Sequence, residues 1–242
     1  MSENPIRLLL VPLEDLVVFP NMNVTLTVDV GDEERVLLVP KHEDGYAKVG
    51  TVAEVTDRIR LPGGGLAVAL NGLHRGIAGA AATDSQGRLL IEVDERPDEE
   101  SADGKVRELE REYRALVEEI LELRGDDGRI AAFVRSITEP GALADTAGYS
   151  PDLTFEQKVQ LLETVDVRER LELALELQRE RHALMQVRRR IQEDVESGVE
   201  KQQREYILRR QLDSIRNSRV KCWTRTTRDS KTSRTASSST SQ

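Results

Sequence analysis

The sequence predicts an α+β protein in which a β domain is followed by helices and a disordered C-terminal tail. Residues 6–95 alternate short apolar runs with turn-forming residues, as small sandwiches and barrels do. Residues 104–165 repeat apolar side chains at helical spacing, and residues 166–216 continue that spacing amid dense charge, which predicts a helical bundle and a long helix. Half of residues 217–242 are Ser or Thr, a composition that cannot form a core, so we expect this segment to be disordered.

The β domain is predicted from the period of its apolar residues. Across residues 24–30, Val and Leu alternate with Thr and Asp, which is typical of a strand with one buried face. Other apolar runs of strand length lie at residues 8–11, 16–19, 36–39, 52–59, 66–70 and 89–93. Turns are predicted at residues 62–65, 71–72 and 84–87, because Gly and Asn tolerate the positive φ of tight hairpins.

The helical bundle begins after the acidic linker of residues 94–103. Apolar residues at Leu109, Tyr113 and Leu116 continue to Leu121 and predict a helix that ends at the glycines of residues 125–128. Residues 130–137 predict a short helix, and residues 139–152, with two prolines, predict a loop. Thr154 and Gln157 have the spacing of a capping box that opens another helix.

The long helix is predicted from a narrow apolar stripe. Its members, most of them three or four residues apart, are Leu173, Leu177, Leu184, Val187, Ile191, Val195, Val199, Leu208, Leu212 and Ile215. Asp166 and Glu169 form a second capping-box pattern at its start. We expect a break at Ser197-Gly198, because Gly costs about 1 kcal/mol relative to Ala inside a helix. The stretch is thus interpreted as one long connecting helix or as a helical hairpin.

Composition limits the classes of function. No apolar run reaches the length of a membrane span and no signal peptide begins the chain, so we expect a cytoplasmic protein without a membrane partner. Cys222 is the single cysteine, and His42, His74 and His182 have no metal-ligand spacing, so we expect neither a metal nor a cofactor. Residues 1–216 have a net charge of -14, and this acidic body argues against nucleic acid as a partner.

Catalytic motifs are absent from the sequence. It contains no GxSxG, no HExxH and no phosphate-binding P-loop, and the glycines at 63–65 are not followed by Lys and Ser or Thr. Paired carboxylates such as Glu118-Glu119 fall on a predicted helix, where solvation explains them. We therefore expect that the chain is not an enzyme by itself.

Several motifs follow one another along the chain. Residues 10–22 read LVPLEDLVVFPNM, and VGTVAEV, RLPGG and LHR follow at residues 49–55, 60–64 and 73–75. They continue with KVQLLETVDVRERL at residues 158–171 and QREYILRRQLDSIR at residues 203–216. Together and in this order, these motifs resemble the N-terminal region of bacterial Lon, the ATP-dependent cytosolic protease. The positions of these motifs to which we assign a structural or interaction role are Leu13, Asp15, Phe19, Pro20, Glu205, Tyr206 and Leu208.

The resemblance implies a PUA-like β pseudo-barrel, a helical bundle and a long helix that, in Lon, leads into an AAA+ ATPase and a Ser-Lys protease. On this interpretation the chain is the substrate-recognition and assembly portion of a Lon-type protease of protein quality control, truncated before the ATPase. Its implied partners are unfolded or damaged proteins and other Lon-type subunits, which form a hexamer in the full-length family. The alternative is a stand-alone Lon-domain adaptor, and regulation by nucleic acid through the tail ranks third.

The tail departs from the family pattern. A Lon chain continues with an acidic helical segment after the position of Arg216, whereas residues 217–242 contain six Lys or Arg and one Asp. We hypothesise a frame shift in the coding sequence, with a basic, phosphorylatable tail as the alternative.

Overall fold

The computed structural model describes residues 6–42, 45–60, 65–85, 87–99 and 103–235, and for residues 198–200 and 215–235 it describes the backbone. The chain divides into two compact units, Met1–Met185 and Gln186–Gln242. The first contains a β barrel and a set of helices, and the described residues of the second belong to one helix. None of the described helices is both long enough and apolar enough to cross a membrane.

The barrel is closed by the pairing of its strands. The strands are β1 (Ile6–Leu13), β2 (Asn23–Leu26), β3 (Arg35–His42), β4 (Gly45–Tyr46), β5 (Val49–Arg60), β6 (Leu66–Thr83) and β7 (Leu89–Arg96). The path β1-β7-β6-β5-β3 returns to β1, because β1 pairs antiparallel with β7 and parallel with β3. This closure confirms the predicted barrel and leaves β2 and β4 as short additions to β6 and β3.

β6 passes through the site of one predicted turn. We expected a hairpin at Asn71-Gly72, but both residues pair with neighbouring strands inside β6, so that prediction was wrong. Gly72 is needed instead because the backbone of Phe19 lies close to it: an added Cβ would lie 2.6 Å from the backbone oxygen of Phe19. The turn at residues 84–87 is confirmed by Gly87, whose φ is +81° and whose N–H donates to the Asp84 carbonyl. Most of the third predicted turn, at residues 62–64, lies outside the described residues.

β1 and β3 are buried on both faces, which explains their uninterrupted apolar runs. Leu9 and Val11 point into the barrel, where they join Val36 and Leu38. The alternate residues of the same strands, including Leu8, Leu10, Leu37 and Val39, belong to a second cluster that the helices complete. The helices therefore pack on the outer wall of the barrel.

The helices of the first unit follow the predicted caps closely. They are α1 (Gly104–Arg124), α2 (Arg129–Ser136), α3 (Pro140–Asp145), a 3-10 helix (Thr146–Tyr149) and α4 (Phe155–Glu163). Gly125 ends α1 in the left-handed conformation, and Thr154 and Gln157 form the full capping box of α4. The prediction of a loop at residues 139–152 was wrong, because this segment contains α3 and the 3-10 helix. Pro140 opens α3 at a position where proline is favoured.

α5 (Val167–Thr235) is one helix without the break expected at Ser197-Gly198. Its start is as predicted, because the Asp166 side chain accepts a hydrogen bond of 2.9 Å from the N–H of Glu169. The glycine penalty of about 1 kcal/mol is small enough to be offset, here by pairs four residues apart such as Arg189 with Glu193.

The predicted tail differs from the structure in part. The backbone of residues 217–235 is helical, and a helix satisfies its own backbone hydrogen bonds without a packed core. Residues 236–242 lie outside the described residues, and for them the disorder stays a prediction.

Candidate peptide-binding groove

Two neighbouring cavities in the first unit share Phe133 and Tyr149 in their walls, and we call them together the apolar groove. The larger one, about 400 Å³, lies between the turn that follows Phe19 and the region of α2 and α3. Its wall consists of Asn21, Met22, Phe133, Ser136, Ile137, Thr138, Glu139, Ala142 and Tyr149. The smaller one, about 190 Å³, extends from Phe133 toward α1 and α5.

The groove exposes large apolar side chains. Phe133 is 53% exposed, Ile130 is 52% exposed and Tyr149 is 39% exposed. Ile130 and Phe133 lie three residues apart on α2, so they point to the same side of that helix. Ala131 and Val134, on the other side, are buried and join the core. α2 thus buries one face in the protein and leaves the other exposed in the groove.

Tyr149 is positioned by Phe19. The two rings meet edge to face with their centroids 6.3 Å apart, an arrangement that aromatic quadrupoles favour. Gly148 allows the approach, because an added Cβ would lie 2.2 Å from the Phe19 ring. The fully buried Phe19 therefore fixes an exposed residue of the groove.

The turn that carries Met22 into the groove is fixed by β6. The Asn21 N–H donates to the Gly72 carbonyl at 2.8 Å, and the Gly72 N–H donates to the Met22 carbonyl at 2.9 Å. Asn21 adopts a φ of 64°, which Asn tolerates better than most residues. Gly72, where we wrongly predicted a turn, is thus the place at which β6 supports the groove.

A buried ionic network stands behind the groove. Arg75 of β6 donates to Asp145 through two hydrogen bonds of 3.0 and 2.6 Å and to the Leu162 carbonyl at 2.9 Å. Arg170, in the first turn of α5, donates twice to Asp98 at 2.8 Å and lies 3.7 Å from Asp145. Bidentate pairs of this kind are the strong form of the interaction. The network joins the barrel, α3 and the start of α5.

The smaller cavity combines apolar walls with positive charge. Its apolar wall includes Val117, Ile120, Leu121 and Ile130, and the charged residues among its described lining are Arg124 and Arg181. Both guanidinium groups contact one oxygen of Asp152, with Arg181 Nε at 2.7 Å. Burial lowers the pKa of Arg181, and the nearby positive charge of Arg124 lowers it further. Two cations therefore share one carboxylate.

Tyr113 lies at the base of the smaller cavity as a neutral hydroxyl. Its oxygen is 2.9 Å from Thr146 Oγ1, and burial raises its pKa to about 12. Burial also raises the pKa of Tyr149 to about 12. Both groups are hydrogen-bonding and apolar surfaces in the neutral pH range, and neither is a general base.

The family-motif positions fall into two groups. In the barrel region Leu13, Phe19 and Pro20 are buried, while Asp15 is exposed. On α5, in the second unit, Glu205, Tyr206 and Leu208 are exposed. Among the first group, Phe19 reaches the groove through Tyr149. The roles assigned to all seven residues remain proposals.

The groove residues themselves were not foreseen. Phe133 lies in a helix that was predicted correctly, but single exposed aromatic residues give no signal in a sequence. Tyr149 lies in the segment that we predicted as a loop. The three histidines occupy ordinary environments, such as His74 against Glu95 at 2.9 Å. Across the part of the chain that the structure describes, no three His, Cys, Asp or Glu residues gather as a metal site.

Comparison with known proteins decides the family. Residues 7–179 match the family described as the ATP-dependent protease La (LON) substrate-binding domain, a span that contains the barrel from Arg7 onward, the bundle and the groove apart from Arg181. The chain belongs to the Lon substrate-binding domain family. A Lon protease of Chloroflexus aurantiacus is 37% identical over 85% of the chain, and one of Salinispora arenicola is 39% identical over 85%. The chain spans 27% and 28% of the length of these two relatives.

Solved structures of Lon N-terminal domains share the fold. The N-terminal domain of Mycobacterium avium complex Lon protease superposes with a TM-score of 0.63 at 34% identity, covering 72% of this chain and 98% of that one. A Lon N-terminal domain protein from Xanthomonas campestris gives a TM-score of 0.52 at 19% identity, a likeness that concerns the fold alone.

Proposed function

We propose that the apolar groove binds exposed apolar segments of unfolded or damaged proteins, and that the chain is the substrate-recognition and assembly part of a Lon-type protease. The observation that carries the proposal is the pair Phe133 and Tyr149, which stand exposed in a groove within the matched Lon domain. Unfolded chains differ from folded ones chiefly in their exposed apolar side chains. An apolar groove binds such side chains and therefore favours unfolded chains over folded ones.

The size of the groove supports an extended peptide as the ligand. Cavities of about 400 and 190 Å³ fall near the range of small-ligand sites, and together they hold a few side chains. Met22 adds a flexible apolar surface, of the kind that promiscuous binding sites use. We infer that sequences are accepted by apolar character and not by a strict motif.

The assembly role rests on α5. Its side chains Val187, Ile191 and Val195 are more than half exposed, and Leu208 and Leu212 continue this pattern. Such a stripe is typical of helices that pair with others. We propose other Lon-type subunits as its partners in the cytoplasm, with ATP hydrolysis and peptide cleavage performed by separate modules.

Binding of a fluorescently labelled unfolded casein, measured by anisotropy, tests the groove. Ile130→Ser removes an exposed apolar residue from the groove and should weaken binding about fivefold, since contact with about half an Ile side chain contributes about 1 kcal/mol. Ile59→Ser is the matched control, because Ile59 is 43% exposed on the barrel and lies outside the groove. Equal weakening by both variants would contradict the proposal.

A second assay tests the separation of binding from catalysis. The purified chain, incubated with casein and ATP, should bind casein and leave it intact. Cleavage that copurifies with the chain through several columns would refute a purely recognising role.

A further inference from the structure

The smaller cavity carries a charge surplus that the binding of apolar segments does not use. Arg124 and Arg181 both approach one oxygen of Asp152, so two positive charges are matched by one negative charge. Although Arg181 Nε lies 2.7 Å from that oxygen, it is buried and does not meet hydrogen-bond geometry there. Its Nη1 donates to Gln178 at 3.2 Å. A second carboxylate in the cavity would match the second positive charge.

The two ends of the groove differ in charge. The larger cavity has Glu139 in its wall, whereas the described charged residues of the smaller cavity are the two arginines. A bound chain therefore meets a negative charge at one end and positive charges at the other. This polarity suits a peptide that ends with its carboxylate in the smaller cavity.

Building on the proposed function, we infer that the smaller cavity recognises the C-terminal carboxylate of a polypeptide whose last residue is apolar. In a C-terminal residue the side chain and the carboxylate share one Cα, so both fit one cavity of about 190 Å³. Within an extended chain, neighbouring side chains point to opposite sides. An internal acidic residue therefore does not place its carboxylate beside the apolar side chain next to it.

The C-terminal residue of the ligand and the smaller cavity are chemically complementary. The side chain of the terminal residue packs against Val117, Ile120 and Phe133, and its carboxylate accepts from the guanidinium groups of Arg124 and Arg181. Arginine suits this task, because its planar fork binds a carboxylate through two parallel hydrogen bonds. Asp152 stays as the counter-ion that holds the two arginines together before the ligand arrives.

Matched peptides test the inference with the full chain. A labelled, otherwise uncharged peptide that ends in Phe is titrated as the free acid and as the C-terminal amide, with anisotropy as the readout. The amide should bind at least tenfold more weakly, since hydrogen bonds to a charged group contribute on that scale. A third peptide, amidated and carrying Glu immediately before Phe, should bind like the plain amide, because in an extended chain that Glu points to the opposite side from Phe.

Variants assign the effect to the arginines. Arg181→Gln should abolish the difference between acid and amide, and Arg124→Gln, at a more exposed position, should reduce it. Arg189→Gln removes an exposed arginine of α5 that pairs with Glu193 and should leave the difference intact. Thermal melting of each variant establishes that it is folded.

Two results overturn the inference while sparing the proposed function. One is equal binding of acid and amide, both weakened by Ile130→Ser. The other is tight binding of the Glu-containing amide, which assigns the arginines to acidic side chains. Failure of every peptide and of casein to bind would overturn the proposed function together with the inference.

Discussion

Removing Arg75 tests how far the buried ionic network holds the barrel and the helices together. Arg75→Met keeps most of the side-chain volume but leaves the Asp145 carboxylate, 1% exposed, with Arg170 at 3.7 Å as its nearest remaining cation in the network. It also removes the donor to the Leu162 carbonyl. Breaking a buried pair on one side costs about 3–5 kcal/mol, out of a total stability of about 5–15 kcal/mol.

The measurements are urea unfolding and thermal melting, both followed by near-ultraviolet circular dichroism, which reports the packing around Tyr113 and Tyr149. A loss of that size should lower the Tm by roughly 6–20 °C for a domain of this size. Arg7→Met is the control, because Arg7 pairs with Glu92 at 3.0 Å on the barrel surface with 68% of its side chain exposed. Exposed pairs contribute about 0–1 kcal/mol.

The double variant distinguishes the loss of the attraction between Arg75 and Asp145 from the cost of leaving the Asp145 carboxylate buried and unpaired. Arg75→Met combined with Asp145→Leu should be less destabilised than Arg75→Met alone, because no unmatched carboxylate remains in the interior. If Arg75→Met lowered the free energy of unfolding by less than about 1 kcal/mol, as expected for the Arg7 control, the network would not hold the barrel and the helices together.

Three further predictions concern packing, capping and pH. Gly148→Ala places a methyl group against the Phe19 ring and should destabilise the domain by about 1–3 kcal/mol in thermal melts. Thr154→Ala removes the capping box of α4 and should cost about 1 kcal/mol in urea. Burial raises the pKa of Tyr113 from 10.0 to about 12, so the unfolded state loses its proton first and stability should fall as pH rises from about 10 to about 12; urea titrations with Tyr113→Phe should show a shallower fall.

Each of these has a matched control or a contrary result. Gly104→Ala adds a methyl group where nothing lies within 4 Å and should not destabilise the protein. Ser136→Ala changes a hydroxyl at the end of α2, outside any helix N-cap, and should have a smaller effect than Thr154→Ala. An identical alkaline profile for Tyr113→Phe and the parent would mean that the hydroxyl is not the group that titrates.

Sequence patterns predicted the architecture where burial follows a simple period. The doubly buried β1 and β3 appear as continuous apolar runs, and the caps at Asp166 and Thr154 were confirmed by their hydrogen bonds. Such signals are local, so a single sequence contains them. The barrel closure between β1 and β3 is not local, and only the resemblance to Lon implied it.

The groove could not be predicted for the same reason. Gly72 and Gly148 looked like ordinary loop or turn glycines, yet each is required by contact with Phe19, which is distant in sequence. Residues 139–152 combine prolines and small residues that suggest a loop. Those small residues in fact let α3 and the 3-10 helix approach the barrel closely, and this approach creates the groove.

The position of Asp145 has a consequence for how the groove can adapt. Asp145 ends α3, and the 3-10 helix that follows it ends at Tyr149, four residues later. Any outward movement of this segment to admit a larger ligand would pull a buried carboxylate away from Arg75. The rear wall is therefore stiff, and tolerance toward different sequences has to come from rotation of side chains such as Met22 and Phe133. On the proposed function, bound segments are then ranked by how well they fill a fixed shape, and their release does not require the domain to reverse a change in its own backbone.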